Sequence, residues 1–537
     1  MSPAALGQVF TPPAVADLAL TLALEGGGDD ATILDPACGD GAFLTRAIAR
    51  GVDPARLHGV ELDPIAHAAA CARVPGADVA LGDWFDAPLT RFGAVVGNPP
   101  YVRQEELGAR RKAHLAKIVA RDAGVPLGAR ADLAIAFTVR ATAALAPGAR
   151  LAFVLSEAVL DAGYGTALRA RLGDDLWLRA IVASPDERWF PDAALHAAIL
   201  VLERPRAPGP APATQVCALR VPVAEAAARV RGLADLDVVA RVRVMAAADV
   251  VRASWAPLLR APEAWARFTE VAGVALRPLG TLATVRRGFT TGANEFFYLR
   301  ARDPQGIEPT CLAPVLRAEK GARSISVDAA RLTTRAFLAP AGRVDTLPPG
   351  ARAWVEGHAE LRTRSTLAAR PTWWSLAAAP ARVFLAKAYD ARFVQRLAST
   401  PVVCDQRLYA IDPRDGIAPE LLAAVLNATP TALAIESLGR ASMGEGALEL
   451  AVTDAAELPV IDPRAFDAST RARVKAALAA IATRTIGTVA EEAAAPDRAA
   501  LDAAVLSPWP TLVALAAELR AALVVAVGRR IGRARLS

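Results

Sequence analysis

Residues 33–44 read Ile-Leu-Asp-Pro-Ala-Cys-Gly-Asp-Gly-Ala-Phe-Leu, and this stretch predicts the fold. A short apolar run ends in Asp35, and the turn from Gly39 to Gly41 opens a helix over 42–50. Glycines allow a ligand to approach the backbone closely, because no Cβ intrudes. A strand that turns tightly into a helix is typical of the crevice where open parallel sheets bind ligands.

Short apolar runs alternate with helix-like segments on both sides of this turn. The predicted strands are 31–34, 57–60, 79–81, 92–97, 151–155 and 197–202. Buried strands that alternate with helices predict an α/β fold with a doubly wound, mostly parallel sheet. The proline-dense stretch 203–214 predicts a linker. We therefore divide the chain into a doubly wound domain (1–205), a linker and connecting segment (206–265), a mixed α/β domain (266–460) and a helical tail (461–537).

Composition narrows the class of protein. The chain has 537 residues and a net charge of +6, which is compatible with a polyanionic partner. Its five cysteines are scattered without a CxxC pair, which argues against a disulfide framework or a zinc site and favours a reducing cytoplasm. The first residues do not resemble a signal peptide, and no uninterrupted apolar run reaches the ~18 residues of a membrane span. We predict a cytoplasmic protein with no metal.

Three strand ends carry acids that suit a cofactor. Asp35 ends the first strand, Glu61 the second and Asp83 the third, with Trp84 beside it. A dinucleotide fingerprint requires a third glycine where Leu44 stands, and it has no acid at the first strand end. An acid there suits a cationic cofactor with an amino group. Glu61 is placed to bind ribose hydroxyls, Asp83 to accept a hydrogen bond from an adenine amino group, and Trp84 to stack on that ring.

A second motif, Gly-Asn-Pro-Pro-Tyr at 97–101, follows the fourth strand. The two prolines remove backbone donors and leave carbonyl oxygens as acceptors, and the Asn98 side chain adds another acceptor. Two acceptors can hold an exocyclic amine by its two protons, while Tyr101 offers a flat face to a planar group. This arrangement suits methylation of a ring-conjugated amine, which depends on positioning more than on a base. In a duplex the base must first flip out.

The motifs occur in the order that the gamma-class adenine-N6 DNA methyltransferases show, and the sequence resembles this TaqI-like group of type II restriction-modification methylases. The matching stretches are GQVFTPP from Gly7, DPACGDG from Asp35, GVELDP from Gly59, GDWF from Gly82, NPPY from Asn98 and, more loosely, FPDAALH from Phe190. The resemblance implies S-adenosyl-L-methionine as cofactor, bound by Thr11, Asp35, Ala37, Cys38, Gly39, Gly41, Glu61, Asp83 and Trp84. It implies catalysis by Asn98, Pro99, Pro100 and Tyr101, and contact of the flipped adenine with Tyr101 and Phe190. Cys38 is expected to pack rather than to react.

The resemblance continues beyond the linker. Residues 279–299 and 426–459 look like parts of the target-recognition domain of type II modification enzymes. Within the first, Arg286, Arg287, Thr290 and Thr291 are candidate DNA contacts, since arginine and threonine bind guanine edges or phosphates. The expected partners are double-stranded DNA and, as a candidate, a separate cognate restriction endonuclease. We expect a monomer with no nuclease domain ahead of the first motif.

Three alternatives remain open from the sequence. A protein-glutamine N5-methyltransferase shares Asn-Pro-Pro-Tyr, because an amide nitrogen poses the same chemical problem. An RNA adenine methyltransferase would present the same flipped base. A non-enzymatic DNA-specificity protein could retain the fold, although the intact glycine turn and tetrapeptide argue against it.

Overall fold

The computed structural model describes residues 10–25, 31–102, 106–128, 131–156, 166–190, 196–252, 255–300, 306–318, 323–441 and 446–535. The chain forms two compact units, Met1–Arg260 and Ala261–Ser537.

The first unit is built of alternating strands and helices. Its strands are β1 (Ile33–Asp35), β2 (Leu57–Glu61), β3 (Asp78–Leu81), β4 (Phe92–Gly97), β5 (Leu145–Ser156), β6 (Trp177–Ala183), β7 (Ala197–Glu203), β8 (Thr214–Leu219) and β9 (Ala240–Met245). Its helices are α1 (Pro13–Leu24), α2 (Ala42–Ala49), α3 (Pro64–Arg73), α4 (Ala109–Ala123), α5 (Leu133–Ala143), α6 (Thr166–Arg171), α7 (Val223–Arg229), α8 (Leu236–Val239), α9 (Ala247–Arg252) and α10 (Trp255–Arg260).

All nine strands join one sheet in the order β3-β2-β1-β4-β5-β7-β6-β8-β9. The pairs from β3 to β5 are parallel, β7 runs antiparallel to both β5 and β6, and β9 runs antiparallel to β8. The predicted doubly wound, mostly parallel sheet is therefore confirmed. The proline-dense stretch 203–214 connects β7 to β8, and the segment predicted as linker and connection contributes β8 and β9 to the sheet. The four-part domain division itself stays a prediction.

Helices cover both faces of this sheet. Successive strand residues point to opposite faces, so Val154 belongs to one core and its neighbour Phe153 to the other. The core that contains Val154 also holds buried residues of α1, α2 and α7, and the core that contains Phe153 holds those of α4, α5 and α10. The strands β1, β2 and β4 are mostly buried and therefore lie between two layers of helices, while β3 at the edge of the sheet is largely exposed.

The second unit mixes short strands with longer helices. Its strands are β10 (Leu276–Pro278), β11 (Ala283–Arg287), β12 (Tyr298–Arg300), β13 (Leu312–Leu316), β14 (Ser326–Val327), β15 (Thr334–Phe337), β16 (Ala381–Ala386), β17 (Ala388–Tyr389), β18 (Arg396–Cys404), β19 (Leu408–Pro413), β20 (Arg440–Ala441), β21 (Leu448–Glu449) and β22 (Pro459–Ile461). Its helices are α11 (Glu263–Ala272), α12 (Leu279–Leu282), α13 (Asn294–Phe297), α14 (Pro349–Glu356), α15 (Ser365–Ala368), α16 (Pro419–Asn427), α17 (Thr429–Leu438), α18 (Val452–Ala456), α19 (Ala468–Ala482), α20 (Val489–Ala493), α21 (Pro496–Leu506) and α22 (Pro510–Arg535).

An eight-stranded sheet organises this unit. Its main path is β11-β19-β16-β18-β13-β15-β12, and β14 pairs with β18. The helices from α19 onward form the predicted helical tail, which packs against α11, α16 and α17. Buried polar contacts hold the tail in place, since the Asp502 carboxylate accepts hydrogen bonds from Thr429 and pairs with Arg520 at 2.9 Å.

One helical stretch within the described residues, Pro510–Gly532 of α22, is long and apolar enough to cross a membrane by length and composition alone. Core helices of soluble proteins pass the same test. Arg520 in this stretch pairs with the buried Asp502, and Arg530 forms a 2.8 Å ion pair with Glu436. These charged contacts are those of a helix packed on its own unit.

Candidate active site

The predicted acids lie at the carboxyl ends of three neighbouring strands. Asp35 ends β1 and Glu61 ends β2, while Asp83 lies two residues beyond β3. The strand order β3-β2-β1-β4 therefore brings all three, together with the segment after β4, to one edge of the sheet. This edge is the position at which open α/β sheets bind ligands.

The turn between β1 and α2 is joined to the second acid. The backbone N–H of Gly39 donates to Glu61 Oε2 at 2.8 Å, and the N–H of Asp63 donates to Glu61 Oε1 at 2.8 Å. Gly39 and Gly41 have φ values of 55° and 86°, which favour glycine. A Cβ built on Gly39 would meet no atom within 4 Å, so the turn borders open space. The neighbouring Cys38 is buried and its pKa is raised by that burial, which suits packing rather than reaction.

Asp35 is a buried carboxyl group. Only 1% of the residue is exposed, and this burial is the main cause that raises its pKa to about 8; the charge of Glu61 adds to the shift. The Ala37 N–H donates to Asp35 Oδ1 at 3.2 Å and opposes the shift. A Cβ on Gly97 would lie 2.7 Å from Asp35 Oδ1, so glycine at this position lets the end of β4 approach the carboxyl group.

The third acid is already engaged by protein groups. Asp83 Oδ1 accepts the Phe85 N–H at 3.0 Å, and Oδ2 pairs with Arg111 Nη1 of α4 at 2.6 Å. Trp84 is only 3% exposed, and the guanidinium of Arg140 lies 4.4 Å from the centre of its ring. The structure thus places Asp83 with the other acids but buries the Trp84 ring under α5. The stacking predicted for Trp84 stays a prediction that this geometry does not favour.

Polar contacts on both sides hold the amide of Asn98. Its Nδ2 donates to Thr11 Oγ1 at 3.1 Å, and its Oδ1 accepts the Tyr101 hydroxyl at 2.6 Å. The same hydroxyl lies 3.1 Å from the carbonyl oxygen of Val154 on β5. Pro99 is buried and Pro100 is half-buried. The structure therefore unites Thr11 from the N-terminal motif with both ends of the predicted catalytic tetrapeptide.

Other predicted positions are placed differently. Phe190 is 2% exposed and packs in the core, while 191–195 of its motif lie outside the described residues, as do 7–9 of the N-terminal motif. In the second unit, Arg286 forms an ion pair with Asp412, so its guanidinium is engaged within the sheet. Arg287 and Thr290 are exposed and both donate to Gln406 Oε1, at 3.3 and 3.0 Å.

The remaining predicted contact, Thr291, is buried and its hydroxyl bonds Asn294 Oδ1. Arg370 donates to the carbonyl oxygens of Thr290 and Thr291 at 2.7 and 2.8 Å. Arg370 therefore holds the backbone of the turn that carries the exposed Arg287 and Thr290.

Sequence reasoning missed Arg111, which reaches the predicted cofactor edge from α4. A local signal existed, because α4 follows the catalytic tetrapeptide closely and its first turn contains Arg110, Arg111 and Lys112. Nothing local, however, indicates which of these three cations turns towards Asp83.

A sheet of this order, with an acid at three adjacent strand ends and Asn-Pro-Pro-Tyr after the fourth, agrees with the arrangement that the motifs predict for a methyltransferase of amino groups. Comparison with known families makes the assignment specific. Residues 2–219 match the N-6 DNA Methylase family, and residues 252–494 match the C-terminal domain of type II methyltransferase M.Eco57I. The chain therefore carries an N-6 DNA methylase domain followed by a type II methyltransferase C-terminal domain, which confirms the resemblance to adenine-N6 DNA methyltransferases of restriction-modification systems seen in its motifs.

Individual relatives agree with this family. The chain is 28% identical over 445 residues to type II methyltransferase M.XamI of Xanthomonas campestris pv. amaranthicola, covering 78% of this chain and 79% of that protein. It is 40% identical over 136 residues to type II methyltransferase M.XhoI of Xanthomonas vasicola, covering 25% and 24%. A solved structure of the type IIL restriction-modification enzyme MmeI in complex with DNA aligns with a TM-score of 0.51 at 12% identity, covering 98% of this chain and 74% of that one. At this identity the likeness shows the fold.

Proposed function

We propose that this enzyme uses S-adenosyl-L-methionine to methylate the N6 atom of an adenine flipped out of double-stranded DNA. The observation that carries the proposal is the Asn98 amide, which Thr11 and Tyr101 hold at the same sheet edge as Asp35 and Glu61. When bound, this cofactor supplies an electrophilic methyl group.

The residues at the edge fit the proposed cofactor. The buried Asp35 carboxyl forms no ion pair with any residue that the structure describes, and it suits an ammonium group. The open turn from Ala37 to Gly41 gives backbone access, and Glu61 offers carboxylate oxygens for ribose hydroxyls. Asp83 is the proposed acceptor for the adenine amino group. These roles, with Thr11 closing the site next to Asn98, are the proposed cofactor assignments.

The tetrapeptide is proposed to hold the target amine. Asn98 Oδ1 and a backbone carbonyl of the Asn98–Tyr101 segment would each accept one of its two protons. An amine held by both protons would be pyramidal, with its lone pair no longer delocalised into the ring and able to accept the methyl group that a bound cofactor would supply; the nitrogen would then release one proton to solvent. The Tyr101 hydroxyl is turned towards Asn98, which leaves its ring as the flat surface for the base. Phe190 is proposed as a second contact to the base.

The test is transfer of a labelled methyl group. We expect label from S-adenosyl-L-methionine to enter duplex DNA and to be recovered as N6-methyladenine after digestion to nucleosides. RNA and a glutamine-containing release-factor peptide serve as competing acceptors in parallel reactions. Label in RNA or in the peptide but not in DNA would replace the proposed substrate, and no transfer to any acceptor would favour the non-enzymatic specificity protein.

We further propose that residues 266–460 read the target sequence while residues 1–205 carry out the chemistry in a cytoplasmic monomer, with a separate restriction endonuclease as cognate partner. Residues 461–537 are proposed to be a helical tail that supports the target-recognition domain, residues 266–460. The match of residues 252–494 to a type II methyltransferase C-terminal domain supports this division.

Among the candidate DNA contacts, Arg287 is the one we expect to matter. Replacing Arg287 by alanine should weaken DNA binding about tenfold and lower the slope of log affinity against log salt by about one, if its exposed guanidinium meets a phosphate. Arg286→Ala is the matched control, because Arg286 is paired with Asp412. Binding isotherms at several salt concentrations measure both quantities. Equal effects from the two variants would remove Arg287 from the interface, and a relaxed methylation motif at unchanged slope would assign it to a base edge.

A further inference from the structure

The loop after β3, residues 82–87, is fastened to α4 and α5 by three basic side chains. Arg111 of α4 pairs with Asp83 at 2.6 Å, and His114, one turn further along the same helix, lies 3.0 Å from Asp86 Oδ1. Arg140 of α5 donates to the carbonyl oxygens of Trp84 and of Ala87, the latter at 2.7 Å. All three side chains join a segment at the proposed cofactor edge to the helices that follow the catalytic tetrapeptide.

Arg140 is the fixed part of this arrangement. It is fully buried, and besides the two carbonyl oxygens it binds Asp122 Oδ2 of α4 at 2.7 Å. Its guanidinium also lies 4.4 Å from the centre of the Trp84 ring. A buried, planar and permanently charged group with several partners has one available geometry. The backbone of the loop is therefore held independently of Arg111.

Arg111 differs because it touches the carboxylate itself. Its side chain is 32% exposed, and its guanidinium lies 5.4 Å from the centre of the Phe85 ring, which restricts its direction. One carboxylate oxygen of Asp83 accepts the Phe85 N–H and the other pairs with Arg111. An ionised carboxylate has about four acceptor positions, so these two contacts fix the carboxylate plane and still allow it to accept a further donor.

We propose that Arg111 is a positioning residue that orients the Asp83 carboxylate to accept the 6-amino group of the cofactor's adenine. This inference rests on the proposed cofactor. Because Arg111 stands on the helix that follows the catalytic tetrapeptide, it also links recognition of the cofactor base to the placement of that helix. Without Arg111, Asp83 keeps its contact with the Phe85 N–H, but the plane of its carboxylate is no longer fixed, and its preference for an amino group over a carbonyl oxygen at the same ring position falls.

The experiment compares binding of two product analogues by calorimetric titration. S-adenosylhomocysteine carries a 6-amino group and S-inosylhomocysteine carries a 6-oxo group, which Asp83 would repel. We expect Arg111→Ala to weaken S-adenosylhomocysteine by about tenfold and to reduce the preference for it over the inosine compound by a similar factor, the scale of one charge-assisted hydrogen bond. Arg111→Lys should recover part of the preference, since a lysine can still pair with Asp83.

Two controls separate positioning from general loosening. Arg110→Ala removes an exposed neighbouring charge of the same helix and should leave both affinities unchanged. His114→Ala removes the contact to Asp86 and should lower both affinities by the same factor, with the preference intact. Arg111→Ala overturns the proposal if it also lowers both affinities equally, or if it changes neither. Thermal melting of each variant identifies one that fails to fold, in which case Arg111→Lys and Arg111→Gln supply the comparison.

Asp83→Ala distinguishes the failure of this inference from the failure of the proposed cofactor site. If Asp83→Ala abolishes the preference for the adenine compound while Arg111→Ala preserves it, the role of Arg111 alone is wrong. If Asp83→Ala leaves the preference intact, the assignment of Asp83 to the cofactor base is wrong, and the role of Arg111 is wrong with it.

Discussion

Replacing Asn98 by alanine should slow the methyl-transfer step by at least ~100-fold, the scale of losing one preorganised polar group in a dry site. Cofactor affinity should stay within a few-fold of the native value. The physical reason is that the Asn98 amide is fixed before the substrate arrives, by Thr11 on its nitrogen side and by the Tyr101 hydroxyl on its oxygen side. Such a group needs no reorganisation when charge develops on the amine. Single-turnover rates with saturating cofactor and DNA measure the step directly.

Tyr101→Phe is the matched variant for this prediction. It keeps the aromatic face but removes the hydroxyl that donates to Asn98 Oδ1, so it should reduce the transfer rate less than Asn98→Ala and leave DNA affinity unchanged. Thr11→Val tests the other side of the amide in the same way. A native single-turnover rate for Asn98→Ala would show that the amide has no part in the chemistry, whatever its position.

The strand ends that build the site were predictable because they are local. In each case an apolar run passes into an acid or into Asn98 within a few residues, and parallel pairing then brings those ends to one edge. The strands β6, β8 and β9 were not predicted, and for β6 and β9 the reason is also local. Arg179 interrupts the apolar run of β6, and arginines alternate with valines in β9, as expected of a strand at the edge of a sheet.

The sequence could not predict contacts between residues that are far apart along the chain. From the sequence, Trp84 is available for stacking, but in the structure its ring is covered by Arg140, which lies 56 residues further along the chain. From the sequence, Arg286 is an unpaired cation, but in the structure it forms an ion pair with Asp412, which lies 126 residues further along the chain. Arg111 becomes a candidate site residue only because it forms an ion pair with Asp83. Each of these contacts depends on tertiary packing, and no spacing in the sequence encodes it.

The linkage between folding and protonation at Asp35 gives the second large expected effect. Burial raises the pKa of this carboxyl from 3.8 to about 8, so the folded protein retains a proton that the unfolded chain releases. The contribution of Asp35 to stability therefore falls as pH rises from about 4 to 8, and the loss is complete above about 8. Asp35→Asn carries no such penalty. Its melting temperature without cofactor should exceed that of the native protein at pH 9, and the difference should shrink as the pH falls and vanish only towards pH 4.

The same substitution should abolish cofactor binding, with affinity reduced by at least ~100-fold, because it removes the buried charge that is proposed to pair with the cofactor's ammonium group. At pH 6.5 that amino group is already protonated, since α-amino groups titrate near 7.7–8.0. Asp35 is also protonated at this pH in the free protein, and a bound cation favours its ionised form. Binding to the native enzyme at pH 6.5 should therefore release about one proton, which calorimetry in buffers of different ionisation enthalpy measures. Binding with no proton released, or tight binding by an Asp35→Asn variant that melts higher at pH 9, would place the ammonium group elsewhere.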